Sequence, residues 1–225
     1  MVTLTFMAAA APGIRVTAGE VQAAKDTLVD QVNALWNQNR LKMNVLAFDA
    51  AGRRPTGARR TLDVEFRVRW STSGGDYVMY VYPTNNDLPA IPGRPDRPAF
   101  VRAGAGSGRI EMHIAATTDA WVYSHEFGHC IGLPDEYGHA GVQYFRPEGT
   151  AGTLLQRPDP VIPANRQGNV RPGGSRDPDL RTTMSTNPNP NLLPRHLWPT
   201  ALEVRRLLNR HGREAKFGVD VIFSR

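Results

Sequence analysis

The run His125-Glu126-Phe127-Gly128-His129, followed by Gly132, Pro134 and Asp135, constrains this chain more than any other feature. Histidines four apart share a face only in a helix, where they stack about one turn apart. Both imidazoles can then meet one metal ion. Glu126, beside His125, can reach a water on that metal without ligating it. Gly132 can take a positive φ and Pro134 cannot continue a helix, so the helix stops and the chain turns sharply. The turn can bring Asp135 back beneath the metal as a third ligand. Three protein ligands with an open fourth position are the pattern of catalytic rather than structural zinc. The third ligand has a rival in Glu136, directly adjacent.

The elements around this motif follow from periodicity. Val2, Leu4 and Phe6 alternate, giving a first strand over about residues 2–8. Thr17-Ala-Gly-Glu20 is a capping box, and Val21, Ala24, Leu28, Val32 and Leu35 continue it as a helix to about residue 40. Strands are expected at about 43–48, at 62–70 in strict alternation, at 76–82 after Ser73-Gly74-Gly75, and at 109–115. The stretch 85–108 reads as a long Pro-, Gly- and Arg-rich loop, and 138–179 as another. Asp119 is an apt N-cap for the motif helix, which should run to about Ile131. Thr200-Ala-Leu-Glu203 looks like a second capping box, opening a helix closed by Gly212, with a last strand over 217–223.

These elements imply an α+β fold. A twisted mixed sheet of about five strands packs on the N-terminal helix and the motif helix, with long irregular loops and a C-terminal helix. No repeat or boundary interrupts the chain, so 1–225 reads as one domain, with sheet and motif helix in 1–137 and a loop-rich part in 138–225. One cysteine, Cys130, excludes an intrachain disulfide. No apolar run approaches the roughly eighteen residues of a membrane span. The first arginine is Arg15, too late for the basic start of a secretory signal. A net charge of +6 permits acidic partners, but the arginines are dispersed and no nucleic-acid motif accompanies them. Specific nucleic-acid binding is therefore not expected. Only Lys25, Lys42 and Lys216 are lysines, an arginine bias that suggests a GC-rich bacterial genome.

The motif resembles that of the metzincin clan of zinc endopeptidases, H-E-x-x-H-x-x-G-x-x-H/D, whose Asp variant occurs in snapalysin-like enzymes. Arg181-Thr-Thr-Met184-Ser185 is similar to the methionine turn of that clan, and the order strand, helix, four strands, motif helix also looks metzincin-like. The resemblance implies a zincin fold binding one zinc ion. It implies His125, His129 and Asp135 as ligands, Glu126 as the catalytic base, and a protein or peptide substrate. Some bacterial zincins take the third ligand from an acidic residue much later in the chain, and that likeness leaves Glu148, Asp177 and Asp179 as further candidates. Asp135-Glu136-Tyr137, the absent signal and Arg195-His196 are also similar to zincin domains of bacterial secreted effectors and polymorphic toxins. That likeness implies a soluble toxic domain, carried in a larger effector and delivered by a specialised secretion system, with an immunity protein as partner. The alternatives are a catalytically silent zinc-binding recognition module and a zinc amidase acting on a non-protein amide such as a cell-wall cross-link.

Tyr137 and His196 are candidate donors to a tetrahedral oxygen, although packing explains either. His113, His139 and His211 default to structural or solvated roles, and Cys130 to a small buried residue.

Overall fold

The computed structural model of the chain describes residues 1–38, 41–51, 54–57, 59–91, 97–104, 108–133, 135, 145–147, 156–158, 182–184, 192, 194–211 and 216–223. In chain order the elements are β1 (Val2–Ala10), α1 (Ala18–Gln31) continued by a π-helical turn (Val32–Asn37), β2 (Leu41–Phe48), β3 (Arg60–Asp63), β4 (Phe66–Trp70) and β5 (Tyr77–Tyr82). They continue with β6 (Phe100–Ala103), β7 (Ile110–Ala115), α2 (Ala120–Cys130), β8 (Phe145–Pro147), β9 (Gln156–Pro158), α3 (Trp198–His211) and β10 (Lys216–Phe223). The fold is mixed α and β, with a five-stranded mixed sheet and three α-helices among the described residues. None of those helices is long and apolar enough to cross a membrane. The chain divides into two compact units, the first made of Met1–Gln38, Glu65–Gly132 and Pro188–Pro190, the second of Asn39–Val64, Leu133–Asn187 and Asn191–Arg225.

The first unit holds the five-stranded sheet, in the order β4-β1-β5-β7-β6. All pairings are parallel except that of β6 with β7. Parallel neighbours usually need a crossover of a dozen or more residues, yet only 71–76 link β4 to β5 across β1. A stagger makes this possible: β4 pairs with Val2–Phe6 and β5 with Phe6–Ala10. The link passes so near β1 that a Cβ on Gly75 would stand 2.5 Å from the Thr5 carbonyl oxygen. Only glycine fits there.

Helix α1 opens with the expected capping box, Thr17 and Glu20 bonding each other's backbone N–H at 2.7 and 3.2 Å. Ala24, Leu28, Val32, Leu35 and Trp36 are buried along it and its π turn. Helix α1 packs against β1 and β5, α2 against β6 and β7, and the two helices against each other. Trp36, Phe66 and Phe127 meet edge-to-face, with centroids 5.4 to 5.7 Å apart, and join the π turn, β4 and α2.

The second unit contains an antiparallel sheet in the order β10-β2-β3 and the hairpin-like pair β8-β9. Helix α3 packs on β10. Thr61 donates to the Asn44 side chain at 2.8 Å, and Lys42 pairs with Asp63 at 3.2 Å.

Several expectations need correction. The alternating run 62–70 is two strands in two sheets: Val64 N–H still bonds Leu41 O, whereas Glu65 O already accepts from Val2 N–H. Alternation records which side chains share a face, not which neighbour a strand pairs with. For the same reason the strand expected at 43–48 belongs to the smaller sheet. Its place among the five is taken by β6, inside the expected 85–108 loop, whose four residues Phe-Val-Arg-Ala carry no periodic signal. That loop also contains a 3-10 turn, Asn85–Asp87, capped by Thr84. Thr200 is buried within α3 rather than at its N-cap, because the helix begins at Trp198 after a 3-10 turn over Pro194–Leu197. Glu203 instead accepts from Arg206 Nε at 2.7 Å. Gly212 lies outside the described residues.

Candidate metal centre

Helix α2 is tied down at both sides of its first histidine. It follows β7 through a tight turn in which Thr118 N–H bonds Ala115 O, and Val122 N–H bonds Asp119 O. Asp119 occupies the N-cap position, but its side chain makes no capping hydrogen bond. One turn into the helix, the Tyr123 hydroxyl donates to Ala115 O at 3.3 Å, and burial pushes its pKa up to about 12. The Trp36 indole N–H donates to Ser124 O, the residue before His125, at 3.2 Å. Phe127, wholly buried in the aromatic triad, anchors the side of the helix facing the π turn and β4. The helix is thus held by β7, by the π turn and by β4, all in one unit.

Against that support stand the chemical groups. His125 and His129 place their Nε2 atoms 3.2 Å apart, with ring planes at 90° and centroids 4.8 Å apart. His125 and Glu126 are buried, and His129 is partly exposed. Among the described residues, these three form the one group of metal-capable side chains whose donor atoms all lie within 4.8 Å of one another. Two nitrogens each about 2.0–2.1 Å from a single tetrahedral zinc stand about 3.3 Å apart, so the pair fits that ion. The same separation also suits an imidazole–imidazole hydrogen bond, which a bound ion would replace.

The helix stops where the glycine demands. Ile131 N–H bonds Phe127 O, Gly132 N–H bonds His129 O at 3.0 Å, and Gly132 has φ +93°. A side chain would be strained in that left-handed conformation. Asp135, three residues on, belongs to the second unit and is partly buried. Its rivals Glu136, Glu148, Asp177 and Asp179 lie outside the described residues, as do Tyr137 and His139. Met184 is fully buried in the second unit with Thr182 and Thr183, and His196 is likewise buried there.

Other candidates resolve into structural parts. His113 is buried in β7, bonding the Tyr82 hydroxyl at 2.8 Å and Glu111 at 3.2 Å and stacking on Phe100 at 4.5 Å. Burial holds its pKa below the ordinary value, although Glu111 works the other way. Cys130 is buried on α2, and burial, then the Glu126 charge, pushes its thiol pKa well up. Such a thiol is inert.

Sequence reasoning overlooked Trp121. Its indole lies one turn before His125, centroids 6.2 Å apart and planes at 74°. The signal was its offset of four from His125, the same spacing that relates the histidines. No family model matches the chain, and no curated protein matches it either.

Proposed function

We propose that the chain is a zinc-dependent endopeptidase of the zincin type, with His125 and His129 as metal ligands and Glu126 as general base. The observation that carries this reading is the 3.2 Å separation of the two Nε2 atoms, close to what two nitrogens on one tetrahedral zinc require. The order of elements within the first unit supports it: strand, helix, four strands, helix. The positive φ of Gly132 supports it too, because it ends the helix just after the second histidine. Asp135 is the third ligand of this reading, on the argument of the sequence motif.

A zinc ion held there would supply Lewis acidity, polarising the scissile carbonyl and acidifying a coordinated water. Glu126, next to His125 and buried, accepts a proton from the attacking water on its carboxylate. It then delivers that proton to the departing amine nitrogen, so the O–H bond lost by water reappears as an N–H bond of the product. The substrate is a protein or peptide, and the setting a bacterial secretion effector, both carried over from the likeness in sequence. An intact Glu126 favours an enzyme over a silent binding module, which has no need of a general base.

Elemental analysis of purified protein tests the reading. The parent should hold about one zinc per chain and His129→Ala none, as a mononuclear catalytic site requires. Glu126→Gln should keep the zinc while peptide hydrolysis falls by about two to four orders of magnitude. Asp135→Ala should release zinc far more readily than Glu136→Ala; the reverse order moves the ligand by one residue. A parent that takes up no added zinc ends the enzyme reading.

A further inference from the structure

The face of α2 that carries both histidines continues one turn towards the helix start, to Trp121. Residues 121, 125 and 129 recur at intervals of four, so their side chains form one column. His125 has a ring on either side along this column, the Trp121 indole at 74° and the His129 imidazole at 90°. Trp121 is partly buried and His125 almost wholly so.

The terminal torsion of a histidine is broad and roughly twofold. A swing of the ring about that torsion tilts its plane and carries Nε2 away from His129. A metal centre needs the one plane in which Nε2 meets His129. An edge-to-face aromatic contact is directional enough to favour one ring plane by up to about tenfold. The indole itself is no ligand, because its nitrogen only donates.

We infer that Trp121 is a positioning residue for the metal centre, its indole holding the plane of the His125 ring in which Nε2 meets His129. The inference rests on the zinc reading above. It differs from mere packing in one respect: what matters is the aromatic edge and not the volume filled. Trp121→Phe keeps such an edge, whereas Trp121→Leu fills space without one.

The test is a titration of the metal-free full chain with Zn2+, and separately with Co2+, for the parent and both variants. Trp121→Phe should bind Zn2+ within about threefold of the parent, since it retains the contact. Trp121→Leu should bind about tenfold more weakly, the lower end of the loss seen when support around a ligand is removed. Co2+ should quench tryptophan fluorescence in the parent, with a clear loss of quenched amplitude in Trp121→Phe. A Trp121→Leu variant that binds Zn2+ as tightly as the parent reduces Trp121 to packing and overturns the inference. Equal Co2+ quenching in the parent and Trp121→Phe overturns it as well, by putting the ion away from the indole. A parent that binds neither ion is a different failure, because it removes the zinc reading itself and this inference with it.

Discussion

In the first unit, the outward backbone N–H and C=O of Phe66, at the start of edge strand β4, are both taken by the side-chain amide of Asn37, at 2.8 and 2.9 Å. In the second, Asn209 does the same for Phe217 on edge strand β10, at 2.8 and 3.1 Å. Each asparagine stands near the end of a helical segment and substitutes for the strand that an edge lacks. Beyond this shared device the units differ. The sheet of the first is locked to its helices by the interlocked rings of Trp36, Phe66 and Phe127, and within it Phe6 of β1 stacks on Tyr77 of β5 at 4.9 Å. The second unit shows polar cross-strand contacts, Thr61 with Asn44 and Lys42 with Asp63. Asp63 is 86% exposed in that pair, so the contact contributes little. Ligands must be held within a fraction of an ångström to bind metal well, and the histidines lie in the unit with the interlocked aromatic core.

The largest effect should come from breaking that core. Phe127→Ala removes the ring shared by α2, β4 and the π turn, and should destabilise the protein by about 3–5 kcal/mol. Urea unfolding measures it. A loss below about 1 kcal/mol, smaller than almost any truncation of a buried aromatic, would mean that the triad does not anchor the histidine helix.

The two asparagines allow a sharper comparison. Asn37→Ala and Asn209→Ala each remove two hydrogen bonds to an edge residue, and each should cost about 1–3 kcal/mol. If only one of the pair matters, the likeness of the two edges is geometric and not energetic.

The smallest effect concerns acid. His113, in the first unit, has its pKa held below the ordinary 6.5 by burial, with Arg102 adding to burial and Glu111 opposing it. The unfolded chain therefore takes up a proton near pH 6.5 before the folded one does, and stability falls as the pH drops below that value. The contribution is fully present above the unfolded pKa. His113→Gln, which cannot titrate, should flatten the decline of the urea midpoint between about pH 7 and 5. An unchanged slope would assign the acid sensitivity of that range to groups other than His113, and not to Glu111, whose own window lies below 4.5.

Much of the local structure was legible in the residues. Thr17 and Glu20 make their capping box, and the helix they open buries Ala24, Leu28, Val32 and Leu35. His125 and His129 share a helix face because a period of 3.6 leaves no other arrangement, and Gly132 ends the helix because its φ is positive. These features depend on interactions within a few residues, and short-range sterics and hydrogen bonding decide them wherever the segment lies. Tertiary structure decided the rest. The break of the 62–70 run between two sheets, the entry of Phe100–Ala103 into the larger sheet and the burial of Thr200 inside α3 all depend on partners far along the chain. So does the support of the proposed metal centre: Trp36 lies 88 residues from the carbonyl it grips before His125. The sequence by itself determined which atoms can meet on one helix turn. Which strands pair, and what holds that turn still, was left to long-range packing, whose energy depends on neighbours that no local pattern records.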